Sequence, residues 1–218
     1  MLFNLRHRLK PTDDPYPFRV FDNIIDPELW SELANRFPPD DVLVPMESVG
    51  HKAHLAADVE PKEFQAFLAK EPLWAKFVAD VYDGFDVACG LVFPELVLRK
   101  KAIRFEFSGL YPDGGGIYPH PDTPKKLVTL VLYFNEDWDN EWGGQFEVLR
   151  HKERPNDDFS NKRTSWDEVE TVFAVPVVPN RGVFMYRTNN SLHGVRPIQS
   201  AEFTRRTITV NLVGKAAR

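Results

Sequence analysis

Ile103-Arg104-Phe105-Glu106-Phe107 alternates apolar and charged residues one by one. That is the period of a β-strand with one apolar and one polar face. Downstream, Leu127-Val128-Thr129-Leu130-Val131-Leu132-Tyr133-Phe134 is almost continuously apolar, as expected of a strand covered on both faces. Further strands are predicted over 145–149, 172–177, 182–187, 192–197 and 204–213, with Gly, Pro and Asn punctuating between them. From about residue 97 onward the chain therefore reads as many short strands, the pattern of a β-sandwich or jelly roll.

Upstream of residue 97 the period is helical. Asp26-Pro27-Glu28 is a helix start: an acid to cap, proline in the first turn, and a second acid facing the helix dipole. Leu29, Trp30, Leu33, Ala34 and Phe37 then recur at helical spacing until Pro38-Pro39. A second helix is predicted over 61–70, with Phe64, Phe67 and Leu68 on one face. A third is predicted over 72–87, where Leu73, Trp74, Phe77, Val78, Val81, Tyr82 and Phe85 form a wide apolar stripe. The expected organisation is one domain over 1–218, with 1–96 a helical N-terminal support and 97–213 the β core. The fold class is mainly β with supporting N-terminal helices.

The bulk numbers narrow the function classes. The chain has 218 residues, 43% of them hydrophobic and 27% charged, with a net charge of −5. That suits one globular core and gives no reason to expect a nucleic-acid partner. Arg6-His7-Arg8-Leu9-Lys10 reads as a solvated N-terminal arm. No apolar run approaches ~18 residues, and the basic start lacks the apolar stretch of a signal peptide, so no membrane partner is expected. Cys89 is the single cysteine, which points to a cytoplasmic location. His51-Lys52-Ala53-His54 reads either as a substrate loop or as a solvated turn. The polar stretch 151–170, with Pro155, Asn156, Asp157 and Asp158 near its start, reads either as a surface excursion or as a mobile lid.

Of the six histidines, His120 has the most distinctive setting, in His120-Pro121-Asp122. Residues i and i+2 of a strand project to one face about 7 Å apart, so an imidazole and a carboxylate can converge on one metal. His193, in Ser191-Leu192-His193-Gly194-Val195, is the best third ligand, with Gly194 leaving room for tight packing. Two histidines and a carboxylate form the facial triad of non-haem Fe(II) oxygenases, which leaves coordination positions open. Alone, a His-x-Asp is more often structural than metal-binding. Thr204-Arg205-Arg206-Thr207-Ile208-Thr209-Val210-Asn211 strengthens the metal reading. On a strand, Arg205, Thr207, Thr209 and Asn211 share one face, and Arg206, Ile208 and Val210 the other. An α-keto acid chelating a metal leaves a far carboxylate, which Arg205 can bind in a bidentate fashion with a hydroxyl bond from Thr207.

The order of these pieces resembles the prolyl-4-hydroxylase branch of the 2-oxoglutarate/Fe(II)-dependent dioxygenases. The resemblance spans roughly 105–213. It begins with Tyr111-Pro112-Asp113-Gly114-Gly115-Gly116 and His120-Pro121-Asp122, followed by Leu132-Tyr133-Phe134-Asn135 and Trp142-Gly143-Gly144-Gln145. It ends with Pro179-Asn180-Arg181-Gly182, His193-Gly194-Val195 and Arg205-Arg206-Thr207. The resemblance implies a double-stranded β-helix (jelly roll), Fe(II) on His120, Asp122 and His193, and Arg205 on the distal carboxylate of 2-oxoglutarate. It places Tyr133 and Tyr111 in the co-substrate pocket. The stretch from His193 to Arg205 is a few residues longer than in the hypoxia-sensing enzymes, so Arg206 stays open as the 2-oxoglutarate ligand. Where the DNA-alkylation-repair branch has a second arginine, this chain has Asn211. The implied reaction consumes dioxygen and 2-oxoglutarate, releases succinate and CO2, and hydroxylates an unidentified organic substrate, a protein side chain or a small molecule. The alternatives are a non-catalytic jelly-roll ligand-binding module, which predicts no iron and no 2-oxoglutarate turnover, and a cupin-type metalloenzyme, which has no use for Arg205 and Thr207 opposite a metal.

Overall fold

The computed structural model describes residues 2–6, 8–46, 52–96, 101–112, 116–160, 162, 164–199 and 202–214. His7, His51, the glycine-loop residues 113–115, Asn161 and Arg163 lie outside the described residues. The strands are β1 (Arg8–Thr12), β2 (Phe18–Phe21), β3 (Val44–Pro45), β4 (Lys52–Ala56), β5 (Lys101–Leu110), β6 (Ile117–His120), β7 (Lys126–Tyr133), β8 (Phe146–His151), β9 (Val169–Val175), β10 (Gly182–Tyr186), β11 (His193–Val195) and β12 (Arg205–Gly214). They form an eight-stranded sheet in the order β1-β2-β10-β7-β12-β5-β4-β3 and a four-stranded sheet in the order β6-β11-β8-β9. The described strand pairings are antiparallel. Two facing antiparallel sheets of this kind make the double-stranded β-helix that the resemblance implied.

Helices α1 (Pro27–Ala34), α2 (Pro61–Lys70) and α3 (Pro72–Val92) supply the apolar cover of the larger sheet. Asp26 caps α1 as its sequence predicts, its carboxylate accepting from the amides of Glu28 and Leu29 at 3.1 Å. The helix ends at Ala34, sooner than the apolar spacing indicates, and a turn delivers Phe37 into the core against Trp74, Phe107 and Phe134. α3 runs past residue 87 because Ala88, Cys89 and Val92 continue its buried stripe. It stops at Phe93, ahead of Pro94, where helical geometry is disfavoured.

Several expectations need correction. The first 96 residues are not only helical support: they give β1 to β4 to the larger sheet. These strands are short, and Pro11, Pro15, Pro17 and Pro45 break up any readable alternation. Arg8 to Lys10, expected in a solvated arm, belong to an edge strand paired with β2. Lys52-Ala53-His54 is neither loop nor turn but β4, paired with β5. β11 is only three residues long, and β9 begins at Val169.

The stretch 151–170 starts and ends within strands β8 and β9. Between them it packs Phe159 and Trp166 against Leu149, Val169 and Leu192. The Phe159 amide donates to the Asn189 carbonyl at 2.9 Å, and the Thr164 amide to the Pro119 carbonyl at 3.0 Å, on β6. No helix of the described residues is long and apolar enough to cross a membrane.

The alternation over Ile103 to Phe107 has a specific structural result. Phe105 and Phe107 face the helices and are fully buried there. Glu106, on the opposite parity, faces the interior of the roll and not solvent; its side chain is 15% exposed. The polar face of β5 is the inner face that meets the smaller sheet.

Candidate active site

β6 and β11 are adjacent in the smaller sheet, and His120 pairs directly with His193. Their rings lie 4.5 Å apart between centroids. β6 ends at His120, so Asp122 is not on the strand as expected; it follows Pro121, which has no N–H to continue a ladder. The turn still brings Asp122 in: the donor atoms of His120, Asp122 and His193 lie within 4.8 Å of one another.

Each donor is held in a defined state. His120 Nδ1 sits 2.8 Å from the Tyr118 carbonyl and His193 Nδ1 3.0 Å from the Ser191 carbonyl. A carbonyl only accepts, so both Nδ1 atoms carry the proton and both Nε2 lone pairs are free for a metal. Phe146 stacks on the His193 ring at 5.3 Å. Burial, with His193 beside it, pushes His120 down to about 4, and burial lowers His193 as well. Burial alone would raise Asp122. Lys126 and His193 nearby, with bonds from Lys126 and Thr129, instead hold it well below the usual carboxylate range. Lys126 Nζ donates to Oδ1 and Thr129 Oγ1 to Oδ2, each at 2.6 Å. Thr129 is in turn 2.9 Å from the side-chain oxygen of Asn211. Two neutral imidazoles and one carboxylate, all oriented and with His193 and Asp122 buried, fit a divalent first-row metal with positions left open.

The three donors line a cavity of about 160 Å³. Its floor is the inner face of the larger sheet, where Thr129, Val131, Arg205, Thr207 and Thr209 project inward. Arg205 is 4% exposed, and its Nε is buried with no hydrogen-bond partner. Its guanidinium carbon lies 5.0 Å from the Tyr133 ring centroid. No ion pair to Arg205 occurs among the described residues. A buried guanidinium without a counter-anion is costly, and this one borders a cavity that also holds a metal-donor set. Those features fit a carboxylate of a chelating keto acid.

Gly144 explains part of the Trp142-Gly143-Gly144-Gln145 motif. Its φ is +78°, and a Cβ there would lie 2.9 Å from Trp138 and 3.2 Å from the Arg205 stem. Arg206 takes the other face, as strand parity predicts, with its NH2 3.8 Å from Asp40. The structure does not bring both predicted tyrosines into the cavity. The Tyr133 hydroxyl is 3.3 Å from the Val175 carbonyl and accepts from the Phe146 amide at 3.1 Å, so the ring supports Arg205 from beside the cavity. Tyr111 packs toward the helical core, and its hydroxyl donates to the Asp40 carbonyl at 3.4 Å. Sequence reasoning misses Lys126, and it misses Asn211 as a support of Asp122. Thr129 carries a signal, since it shares strand parity with Tyr133.

Gly194 is tightly enclosed. A Cβ there would lie 2.8 Å from the Ile117 carbonyl oxygen and 2.8 Å from the Trp166 ring. Gly194→Val is therefore expected to cost about 1–3 kcal/mol and to weaken metal binding by spreading β6 from β11. Urea melts and calorimetric Co(II) titration check this; an unchanged midpoint and affinity would show that Trp166 moves freely aside.

Residues 108–213 match the model of the 2OG-Fe(II) oxygenase superfamily. Comparison with curated protein sequences gives no match. Among solved structures, a Pseudomonas putida prolyl-4-hydroxylase aligns with TM-score 0.54 at 19% identity, covering 91% of this chain and 92% of that one. A prolyl hydroxylase from Trichoplax adhaerens, in complex with a hypoxia inducible factor peptide fragment, aligns with TM-score 0.53 at 15% identity, over 90% of this chain and 83% of that one. HygX from Streptomyces hygroscopicus, with nickel and 2-oxoglutarate bound, aligns with TM-score 0.56 at 13% identity, over 91% of this chain and 83% of that one. At these identities the likeness carries the fold, and the superfamily match over β5 to β12 carries the chemistry. Residues 108–213 thus match the 2OG-Fe(II) oxygenase superfamily, and the chain reads as a 2-oxoglutarate- and Fe(II)-dependent dioxygenase.

Proposed function

We propose that residues 1–218 act as one hydroxylase domain in which His120, Asp122 and His193 hold Fe(II), and Arg205 with Thr207 holds the distal carboxylate of 2-oxoglutarate. The observation that carries this reading is the pairing of two features across one small cavity: three converging metal donors and a buried guanidinium with no ion-pair partner among the described residues. When bound, the iron supplies the activation of dioxygen that oxidises a substrate C–H bond. One dioxygen and one 2-oxoglutarate are consumed for each C–OH formed, and succinate and CO2 are released.

The chain's own contribution is placement. Tyr118 and Ser191 carbonyls orient the two imidazoles, Lys126 and Thr129 hold the carboxylate, and Tyr133 sits beside the arginine. Leu110, Ile117, Val131, Phe146 and Val195 give the cavity a dry wall, which strengthens each electrostatic contact inside it. The organic substrate is a small molecule or a peptide; the peptide bound in the Trichoplax complex supports the second class for that enzyme. We place the reaction in the cytoplasm on the lone, buried Cys89, and expect no nucleic-acid partner from the net charge of −5 and no membrane partner from the lack of a long apolar run.

Succinate release with labelled dioxygen tests the reading. Asp122 occupies the metal position that a halide would need. The product is therefore expected to gain one labelled oxygen, or to be desaturated, even in excess chloride. A chlorinated product would overturn the role of Asp122. Absence of any 2-oxoglutarate binding to the metal-loaded protein would favour the non-catalytic ligand-binding alternative.

A further inference from the structure

Lys52-Ala53-His54 borders the candidate site, yet neither metal binding nor the grip on 2-oxoglutarate uses it. Lys52 pairs with Leu110 across β4 and β5, and Leu110 pairs with Arg205 across β5 and β12. Lys52 and Arg205 thus stand in one row on the inner face, about 10 Å apart at the backbone. Both line the cavity.

Beneath Lys52 the inner face carries a buried polar cluster. Lys52 Nζ donates to Glu106 Oε1 at 2.6 Å, and Ser108 Oγ donates to the same oxygen at 2.6 Å. The His54 ring lies between two carboxylates, with Nε2 3.1 Å from Glu60 Oε1 and Nδ1 3.8 Å from Glu106 Oε2. Burial would raise Glu106, but Lys52, His54 and Ser108 outweigh it and hold the carboxylate ionised. Such a cluster is a poor way to stabilise a fold, because apolar residues of similar size do as well or better. The outer face of the same strand does use Phe105 and Phe107. A positioning role accounts for the polar choice: Glu106 takes one of the three N–H donors of Lys52 and holds the ammonium at the cavity wall.

The charge balance gives the sign of the ligand. Among groups that line the cavity or pair directly with its lysines, Lys52, Lys126 and Arg205 are cationic and Asp122 and Glu106 anionic. Within this set one positive charge is left over; Glu60, bonded to His54 and not to a lysine, lies outside it. A divalent metal with a dianionic keto acid adds none, so one monoanion would neutralise the loaded site. The cavity of about 160 Å³ is shared with the keto acid, which makes small acids the first candidates.

We infer that Lys52 anchors a carboxylate of the substrate, and that the substrate is a small carboxylic acid. This rests on the proposed function and names the substrate class for the same site. The probes are the common L-amino acids and short aliphatic acids, each compared with its primary amide. Isothermal titration of each into protein loaded with Co(II) and 2-oxoglutarate gives affinity, and succinate release from the Fe(II) form gives turnover. At least one acid is expected to bind and to drive release, about tenfold or more better than its amide. Lys52→Met should abolish that preference and leave the KM for 2-oxoglutarate unchanged, while Lys52→Arg should keep it. An amide as good as its acid, no acid that binds, or a Lys52→Met effect confined to 2-oxoglutarate would each overturn the inference. Failure of 2-oxoglutarate to bind the Co(II) protein would sink the proposed function itself. Circular dichroism of both variants separates a lost anchor from a lost fold.

Discussion

Asp122→Ala is expected to abolish 2-oxoglutarate turnover and to weaken Co(II) binding by about 100-fold or more. The carboxylate is the only anionic member of the donor set, and it is buried at 4% exposure with both oxygens hydrogen-bonded. Its removal strips one of three donors and leaves Lys126 facing the two imidazoles, where its charge repels an incoming dication. The fold should survive, because Asp122 lies in a turn after β6 and not in a ladder. Thermal melts in chelator should therefore stay cooperative, and the metal-dependent rise in midpoint seen in the parent should vanish. Asp122→Asn keeps the size but not the charge and should fall close to the alanine variant. Normal hydroxylation by Asp122→Ala would mean that the metal sits elsewhere.

The legible and illegible parts of this site differ for physical reasons. The jelly roll is readable because β7 is apolar over almost its whole length and β12 alternates through Arg205, Thr207, Thr209 and Asn211. Strand parity on β12 puts Arg205 and Arg206 on opposite faces, and the structure shows Arg205 to be the inward one. The alternation of β5 correctly gives a period, but a period cannot say what covers the polar face. Glu106 has the pattern of a wetted residue and is instead buried beside the cavity. β4 escapes sequence reading because Lys52-Ala53-His54-Leu55-Ala56 has no β-branched or aromatic residue, and its alanines and leucine suit a helix as readily as a strand. Its partners Glu60 and Glu106 come together with His54 only through sheet pairing and the turn into α2. Lys126 is unreadable for a related reason. It lies four residues beyond Asp122, across the Pro124 turn, and nothing local shows that the chain doubles back. The pocket role of Tyr111 rests on resemblance alone, and in the structure its hydroxyl reaches Asp40 instead.

Arg205→Ala should raise the KM for 2-oxoglutarate by about 30-fold or more, since truncating one partner of a buried charged pair costs about 2–5 kcal/mol. Thr207 can still donate a hydroxyl bond, but a neutral donor does not replace a bidentate cation. Metal affinity should be preserved, because Arg205 is not a donor and the imidazoles and Asp122 keep their own supports. The metal-free protein should be no less stable than the parent, since Arg205 there is a buried cation whose Nε lacks a partner. That combination, a lost co-substrate with intact metal binding and intact stability, separates a ligand role from a packing role. Arg205→Lys keeps the charge but not the planar fork and should fall between the two. Arg206→Ala supplies the control from the next residue along the same strand. Its side chain points to the opposite face toward Asp40, so the KM for 2-oxoglutarate should stay within about twofold, as for a surface pair worth less than about 1 kcal/mol. If Arg206→Ala raises the KM and Arg205→Ala does not, the register of β12 against β5 and β7 is off by one residue, and Arg206 is the co-substrate ligand.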